Sequence, residues 1–213
     1  LKETNFFIGP VRAPHARQGE WWRSGQWHRG LDWYVSLFDA RAPIRGESSP
    51  GYTSPSNPEA AARMAAVIPR ARLIYVIRDP MQRALSQYAH HRRDAAETRG
   101  LEEALLDSHS QYVARSRYFE RLQPFLSRFP RVQILVLVQE RLLTDRRRQL
   151  RRLFHHVGVD PCWWNDALAH RFNVGSCVPA APAALRRAFR ARITDDVHRL
   201  REFLNDDLAE WGG

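Results

Sequence analysis

The chain has 213 residues, of which 44% are hydrophobic and 26% charged, with a formal net charge of +10. This hydrophobic share excludes a disordered tail, the length suits one α/β domain rather than two, and no apolar run approaches a membrane span. The basic balance favours anionic partners (nucleotides, acidic glycans, nucleic acid or anionic lipid) without choosing among them. Nearly all the positive charge is arginine, since Lys2 is the only lysine. Two cysteines, Cys162 and Cys177, cannot build a disulfide framework and form no C-x-x-C pair.

In chain order, Thr4 to Ile8 reads as a strand or an extended loop. Leu31, Trp33, Tyr34, Leu37 and Phe38 are apolar at helical spacing within residues 30–38. Residues 41–58 are rich in Pro, Gly and Ser and read as loop around a short extended piece, Ile44 to Ser48. Pro58 to Val67 suits a helix with Asn57 as N-cap and Pro58 at the first helical position. Leu73 to Ile77 is a β-rich apolar run expected to be buried on both faces, as in a parallel sheet. Arg78-Asp79-Pro80 ends it, and Pro80 opens a helix toward His91 with Asp79 as N-cap. A loop follows, then a long helical pattern over residues 111–129 and a second strand over Val132 to Val138. Arg146 to Val157 forms another helix with a Leu150, Leu153, Phe154 and Val157 stripe. Leu185 to Arg192 and Asp195 to Leu208 are the last two. Strands alternating with helices predict a mainly parallel sheet with helices on its faces. Such sheets bind ligands beyond the carboxyl ends of their strands.

The most informative segment is Leu73 to Tyr88, LIYVIRDPMQRALSQY. A strand delivers Arg78 to its carboxyl end, and a helix starts at once. Free backbone N–H groups and the positive end of the helix dipole therefore lie nearby. Arg83, Ser86 and Gln87 follow on that helix. A guanidinium and a hydroxyl near such a turn can jointly hold a phosphate. An isolated Arg-Asp-Pro would more simply pair Arg78 with Asp79 or Glu47 and leave Ser86 merely exposed.

This stretch resembles the 3′-phosphate-binding segment of sulfotransferases that use 3′-phosphoadenosine-5′-phosphosulfate (PAPS). The resemblance runs through flanking motifs in the same order. Lys2-Glu3-Thr4-Asn5-Phe6-Phe7 is similar to an early Lys-Glu-x-x-Phe-Phe of bacterial and heparan sulfate sulfotransferases. Gly30-Leu31-Asp32-Trp33-Tyr34 resembles the Gly-Leu-x-Trp-Tyr helix. Glu47 to Tyr52 resembles the Glu-x-(Ser/Thr)-Pro-x-Tyr loop. Tyr118 opens a similar helix-then-strand stretch that ends at Glu140, and Leu204 to Trp211 resembles the closing L-x-x-D-L-x-x-W.

The resemblance implies a single sulfotransferase domain over residues 1–213. Its fold would be three-layer α/β, a parallel sheet with flanking helices of the P-loop NTPase-like kind. It implies PAPS as sulfuryl donor and no metal. The acceptor would be a carbohydrate first, a lipid or small metabolite next. Arg78 and Ser86 would hold the 3′-phosphate, Tyr118 would border the nucleotide, and Glu3 would be the base, with His15, His28 and Asp32 in reserve. The family's Gly- and Lys-bearing 5′-phosphosulfate loop lies upstream of the Lys-Glu motif. No G-x-x-x-x-G-K-[ST] loop occurs here, so a first β-loop-α unit is expected to precede Leu1. Heparan-type members carry a Lys where Ser48 stands and a late Lys-Gly-Arg loop. Residues 173–187 offer only Arg186, the expected nucleotide contact, and Arg187. The compartment implied is a bacterial cytoplasm, or a Golgi-type lumen if more chain precedes.

Two other classes stay open on the residues alone. A nucleotide-dependent phosphotransferase would need Mg²⁺ and a Walker-type loop. A basic module for nucleic acid or other polyanions would bind with steep salt dependence and no preference for a 3′-phosphate. The Arg146-Arg147-Arg148 and Arg151-Arg152 run suits the latter, but equally a solvated helix face. Trp21-Trp22, Trp27 and His28 suit a lid or acceptor surface as well as packing. Trp163-Trp164 reads as packing. His90-His91 and His155-His156 lack the spacing of metal ligands.

Overall fold

A computed structural model describes residues 3–9, 25–170 and 179–211. Lys2, His15, Trp21, Trp22 and Cys177 lie outside them. The chain divides into two compact units, one of residues 1–71 and 121–133, the other of residues 72–120 and 134–213.

The first unit is built on aromatic packing. Phe6, Phe7 and Ile8 form a buried 3-10 turn rather than a strand. Asn5 enters it with φ 50°, a left-handed conformation that Asn tolerates and that bends the chain away from an extended path. Phe6 stacks on Tyr34 at 4.4 Å between ring centroids, and Phe7 meets Tyr52 edge-on at 5.7 Å. Tyr34 comes from helix α1 (Gly30–Ser36) and Tyr52 from a 3-10 turn over Pro50–Thr53. Helix α2 spans Ala60–Val67. It starts two residues later than expected, and Asn57 does not cap it. The Asn57 side chain instead donates to the Gly51 carbonyl at 2.8 Å and pins the preceding loop. No strand forms over residues 44–48.

The second unit holds the sheet. Strand β1 (Leu73–Ile77) and strand β2 (Ile134–Val138) pair in parallel, Leu73 opposite Ile134 and Ile77 opposite Val138. β2 is buried almost throughout. β1 is not: Ile74 is 40% and Val76 51% exposed, so one face of this apolar strand is open. An all-apolar run records that both faces can be covered, not that both are. Helix α3 (Pro80–Arg93) follows β1 after two residues. Asp79 caps it, accepting from the Gln82 amide at 2.6 Å, a cap of about 1 kcal/mol. Helix α4 (Leu101–Leu106) lies where only loop is expected.

The long helix expected over residues 111–129 is broken into α5 (Gln111–Ala114) and α6 (Tyr118–Leu126). Ser116 sits fully buried in the break. Its hydroxyl donates to the Tyr112 carbonyl at 2.8 Å, a side-chain bond that competes with continued helix. Residues 131–133 form a 3-10 turn, so β2 starts two residues later than expected. Helix α7 (Gln139–Thr144) follows β2 directly. Helix α8 (Arg146–Val157) has the expected bounds and is capped by Asp145. Helices α9 (Ala183–Ala191) and α10 (Thr194–Leu204) close the unit. Met81, Leu85, Leu105, Tyr112, Leu185 and Phe189 form its core. No described helix is long and apolar enough to cross a membrane.

Candidate functional site

The turn from β1 into α3 places Arg78 at the carboxyl end of the sheet. Its guanidinium folds along the helix and donates to the Gln82 carbonyl. In an α-helix that carbonyl faces the amide four residues on, here that of Ser86. Ser86 thus lies one helical turn beyond the residue whose carbonyl holds the guanidinium. Arg78 and Ser86 are partly exposed. Ser86 makes no side-chain hydrogen bond among the described residues, and Arg78 has no acidic partner there.

Asp79 does not pair with Arg78, because its carboxylate is turned to the Gln82 amide. The Asp79 amide donates to Glu140 Oε1 at 2.9 Å, which ties the ends of β1 and β2 together. The other oxygen of Glu140 is buried and has no hydrogen-bond partner among the described residues. Glu47, the other simple partner for Arg78, is occupied within the first unit by Tyr52 and by Ser49 at 2.8 Å.

Tyr118 opens α6 and is buried. Its hydroxyl lies near the Arg78 backbone amide yet closes no hydrogen bond of ordinary geometry. Burial pushes the phenol up to about 12, against the pull of Arg83 and Arg78. Its ring meets Tyr75 of β1 edge-on at 6.0 Å. So Arg78 and Tyr118 meet at the end of β1, with Ser86 further along α3.

Arg83, named in the sequence without a role, proves central to this region. It donates to Ser116 Oγ at 3.0 Å, to Gln87 Oε1 at 2.6 Å and to the Tyr112 carbonyl at 2.6 Å. All three acceptors are neutral. Burial lowers its guanidinium to about 10, with Arg115 and Arg78 acting in the same direction. A buried cation held without a carboxylate adds to the positive field at the strand end. Its spacing from Arg78 could have flagged it, but burial cannot be read from one polar residue in a helix.

Arg186 sits on α9 and donates to the Ala181 carbonyl at 3.1 Å. No hydrogen bond or ion pair among the described residues links it to Arg78, Ser86 or Tyr118. Glu3 is half-buried and belongs to the first unit. The next residue, Thr4, is hydrogen-bonded to the Tyr52 hydroxyl at 3.0 Å, and the Asn5 amide donates to Ser49 Oγ at 3.0 Å. These contacts tie Thr4 and Asn5 to the Glu47–Tyr52 loop. His28 and Asp32 are exposed.

Three of the five arginines in the α8 run have local partners. Arg146 donates to the Leu168 and His170 carbonyls, Arg152 to Gln149, and Arg147 lies 4.3 Å over the Trp164 ring. Trp163 is 54% exposed and meets Phe154 edge-on, so it packs only in part.

In open parallel α/β sheets, ligands bind beyond the carboxyl ends of the strands, which is where Arg78 stands. The chain belongs to the sulfotransferase family, whose family model matches residues 4–166. It is 31% identical over 140 residues to mouse heparan sulfate glucosamine 3-O-sulfotransferase 3B1, covering 61% of this chain and 35% of that protein. It is 29% identical over 124 residues to the bifunctional heparan sulfate N-deacetylase/N-sulfotransferase 1 of Caenorhabditis elegans, covering 53% of this chain and 14% of that protein. The chain thus spans about a third or less of these relatives. A sulfotransferase structure from Alicyclobacillus acidocaldarius superimposes with a TM-score of 0.79 at 26% identity, covering 99% of this chain and 86% of that one. The expected α/β sulfotransferase fold is therefore observed.

Proposed function

We propose that the protein is an enzyme that transfers a sulfuryl group from PAPS to a hydroxyl or amine of an acceptor, a carbohydrate in the first instance. The observation that supports this reading is that Arg78, at the end of β1, has no acidic partner among the described residues, while Ser86 follows on α3. The donor set fits a phosphate: a guanidinium and a hydroxyl. Arg83 supplies further positive field from below, and the unsatisfied Tyr118 hydroxyl offers one more donor.

PAPS, when bound, supplies the activated sulfuryl group. Arg78 and Ser86 hold its 3′-phosphate, Tyr118 borders it, and Arg186 is assigned a nucleotide contact by resemblance. Glu3 is the base that takes the acceptor's proton. Family membership and the heparan sulfate sulfotransferases among the relatives support a glycan acceptor. Sulfuryl transfer, like phosphoryl transfer, asks the protein mainly for positioning and charge stabilisation.

The test is sulfuryl transfer from labelled PAPS to heparan-type glycan, with a lipid and a phenol as competing acceptors. Wild-type protein should label the glycan. Glu3→Gln should lower turnover about 10²- to 10⁴-fold while leaving donor binding intact. Labelling by Glu3→Gln at the wild-type rate would remove Glu3 as base, and labelling of the phenol alone would overturn the carbohydrate assignment.

A further inference from the structure

A second cleft lies wholly within the unit of residues 72–120 and 134–213. Its volume is about 240 Å³, and it runs between the start of α3 and the α9–α10 pair. None of Arg78, Ser86 and Tyr118 lines it.

Helix α10 turns Thr194, Val197, His198 and Arg201 toward this cleft. They recur at three- and four-residue intervals, so they share one face. Pro80, Met81, Ile193 and the ring of Trp211 give it an apolar wall.

Two of the lining residues carry a buried donor with no hydrogen-bond partner among the described residues. Trp211 is 7% exposed, and its indole N–H is buried without a hydrogen-bond partner among the described residues. Arg201 Nε is in the same condition. The Arg201 guanidinium also makes no ion pair among the described residues, and the one carboxylate lining the cleft, Asp79, gives one oxygen to capping α3. Buried donors are satisfied in almost all native structures, so an orphaned pair beside a cavity marks a missing acceptor. Arg190 and Arg201 against the single carboxylate of Asp79 leave the lining net positive, which favours an anion. The apolar wall specifies that the anion carries a hydrophobic body rather than being a bare ion.

We propose that this cleft is a second ligand site for a small organic anion, an aryl or comparably apolar body bearing one sulfate or carboxylate. The anionic group sits on Arg201 and the Trp211 N–H after a small side-chain shift that uncovers them. The apolar body lies against Met81, Ile193 and the indole ring. The cleft shares no lining residue with Arg78, Ser86 and Tyr118, but it adjoins them, since Asp79 and Pro80 follow Arg78 and Trp211 meets the Tyr118 ring at 5.9 Å.

The probe is p-nitrophenyl sulfate, titrated by calorimetry into the full chain, with 4-nitrobenzyl alcohol as neutral control. Expected is one binding event for the sulfate and none for the alcohol. Arg201→Gln should weaken it at least tenfold, and Trp211→Phe, which keeps the ring and loses the N–H, several-fold. Saturating 3′-phosphoadenosine-5′-phosphate should not displace it. Thermal melting of each variant checks folding, and Arg201→Lys should restore part of the affinity by returning the charge. No binding at millimolar probe, unchanged affinity in Arg201→Gln, or full displacement by the nucleotide would each overturn the proposal. The last outcome would show that the cleft belongs to the nucleotide site, leaving the reading of Arg78 intact.

Discussion

Ser86 lies eight residues after Arg78, which directly follows the last residue of β1, and stands in the second turn of α3. Arg78→Ala should weaken binding of a 3′,5′-adenosine bisphosphate about 10- to 100-fold, as removal of charge-assisted hydrogen bonds worth about 1.5–3 kcal/mol implies. Ser86→Ala should cost about fivefold, in line with one neutral donor. Titration of the nucleotide into each variant checks both. Much of this pair was legible in the residues, because a hydrophobic run followed by Arg-Asp-Pro dictates strand, turn and capped helix. Arg83 was not legible in the same way. Its importance comes from burial beneath Ser116 and Tyr112, which arrive from elsewhere in the chain.

Among the elements, the α5–α6 break shows most clearly what local pattern hides. Apolar periodicity runs through residues 111–129, yet Ser116 spends its hydroxyl on the Tyr112 and Pro80 carbonyls and receives Arg83. Ser116→Ala should destabilise the protein by about 1–3 kcal/mol, since it leaves a buried guanidinium nitrogen without its acceptor. Chemical denaturation measures this. Helices α4 and α7 escaped detection because six residues are too few to establish a period. The segment before α4 is held by Glu97. Arg99 donates to both carboxylate oxygens and Tyr112 to one, and Arg99 above all holds the carboxyl at about 2, well below its ordinary 4.5. A carboxyl depressed in the folded state stabilises above its unfolded value, and that contribution fades as pH falls from about 4.5 toward 2. The wild-type protein should therefore lose stability over this window more than Glu97→Gln does. Thermal melting across pH 2 to 6 checks the difference.

For the molecule as a whole, net charge and chain order were readable, while exposure was not. The sequence cannot show that Ile74 and Val76 leave one face of β1 uncovered. Nor can the +10 charge separate a polyanion surface from a solvated coat, and the structure commits Arg146, Arg147 and Arg152 to local partners. Nucleotide binding at the strand end should therefore weaken only modestly with salt, whereas a purely electrostatic surface would lose binding steeply. Titration at 50 mM and 200 mM salt separates the two.

The most direct measurement compares the affinity of the protein for 3′-phosphoadenosine-5′-phosphate with that for 5′-AMP, before and after Arg78→Ala. A marked preference for the bisphosphate that collapses to parity in the variant is the predicted result. Equal affinity for both nucleotides in the unaltered protein would contradict the claim that Arg78 and Ser86 grip a 3′-phosphate.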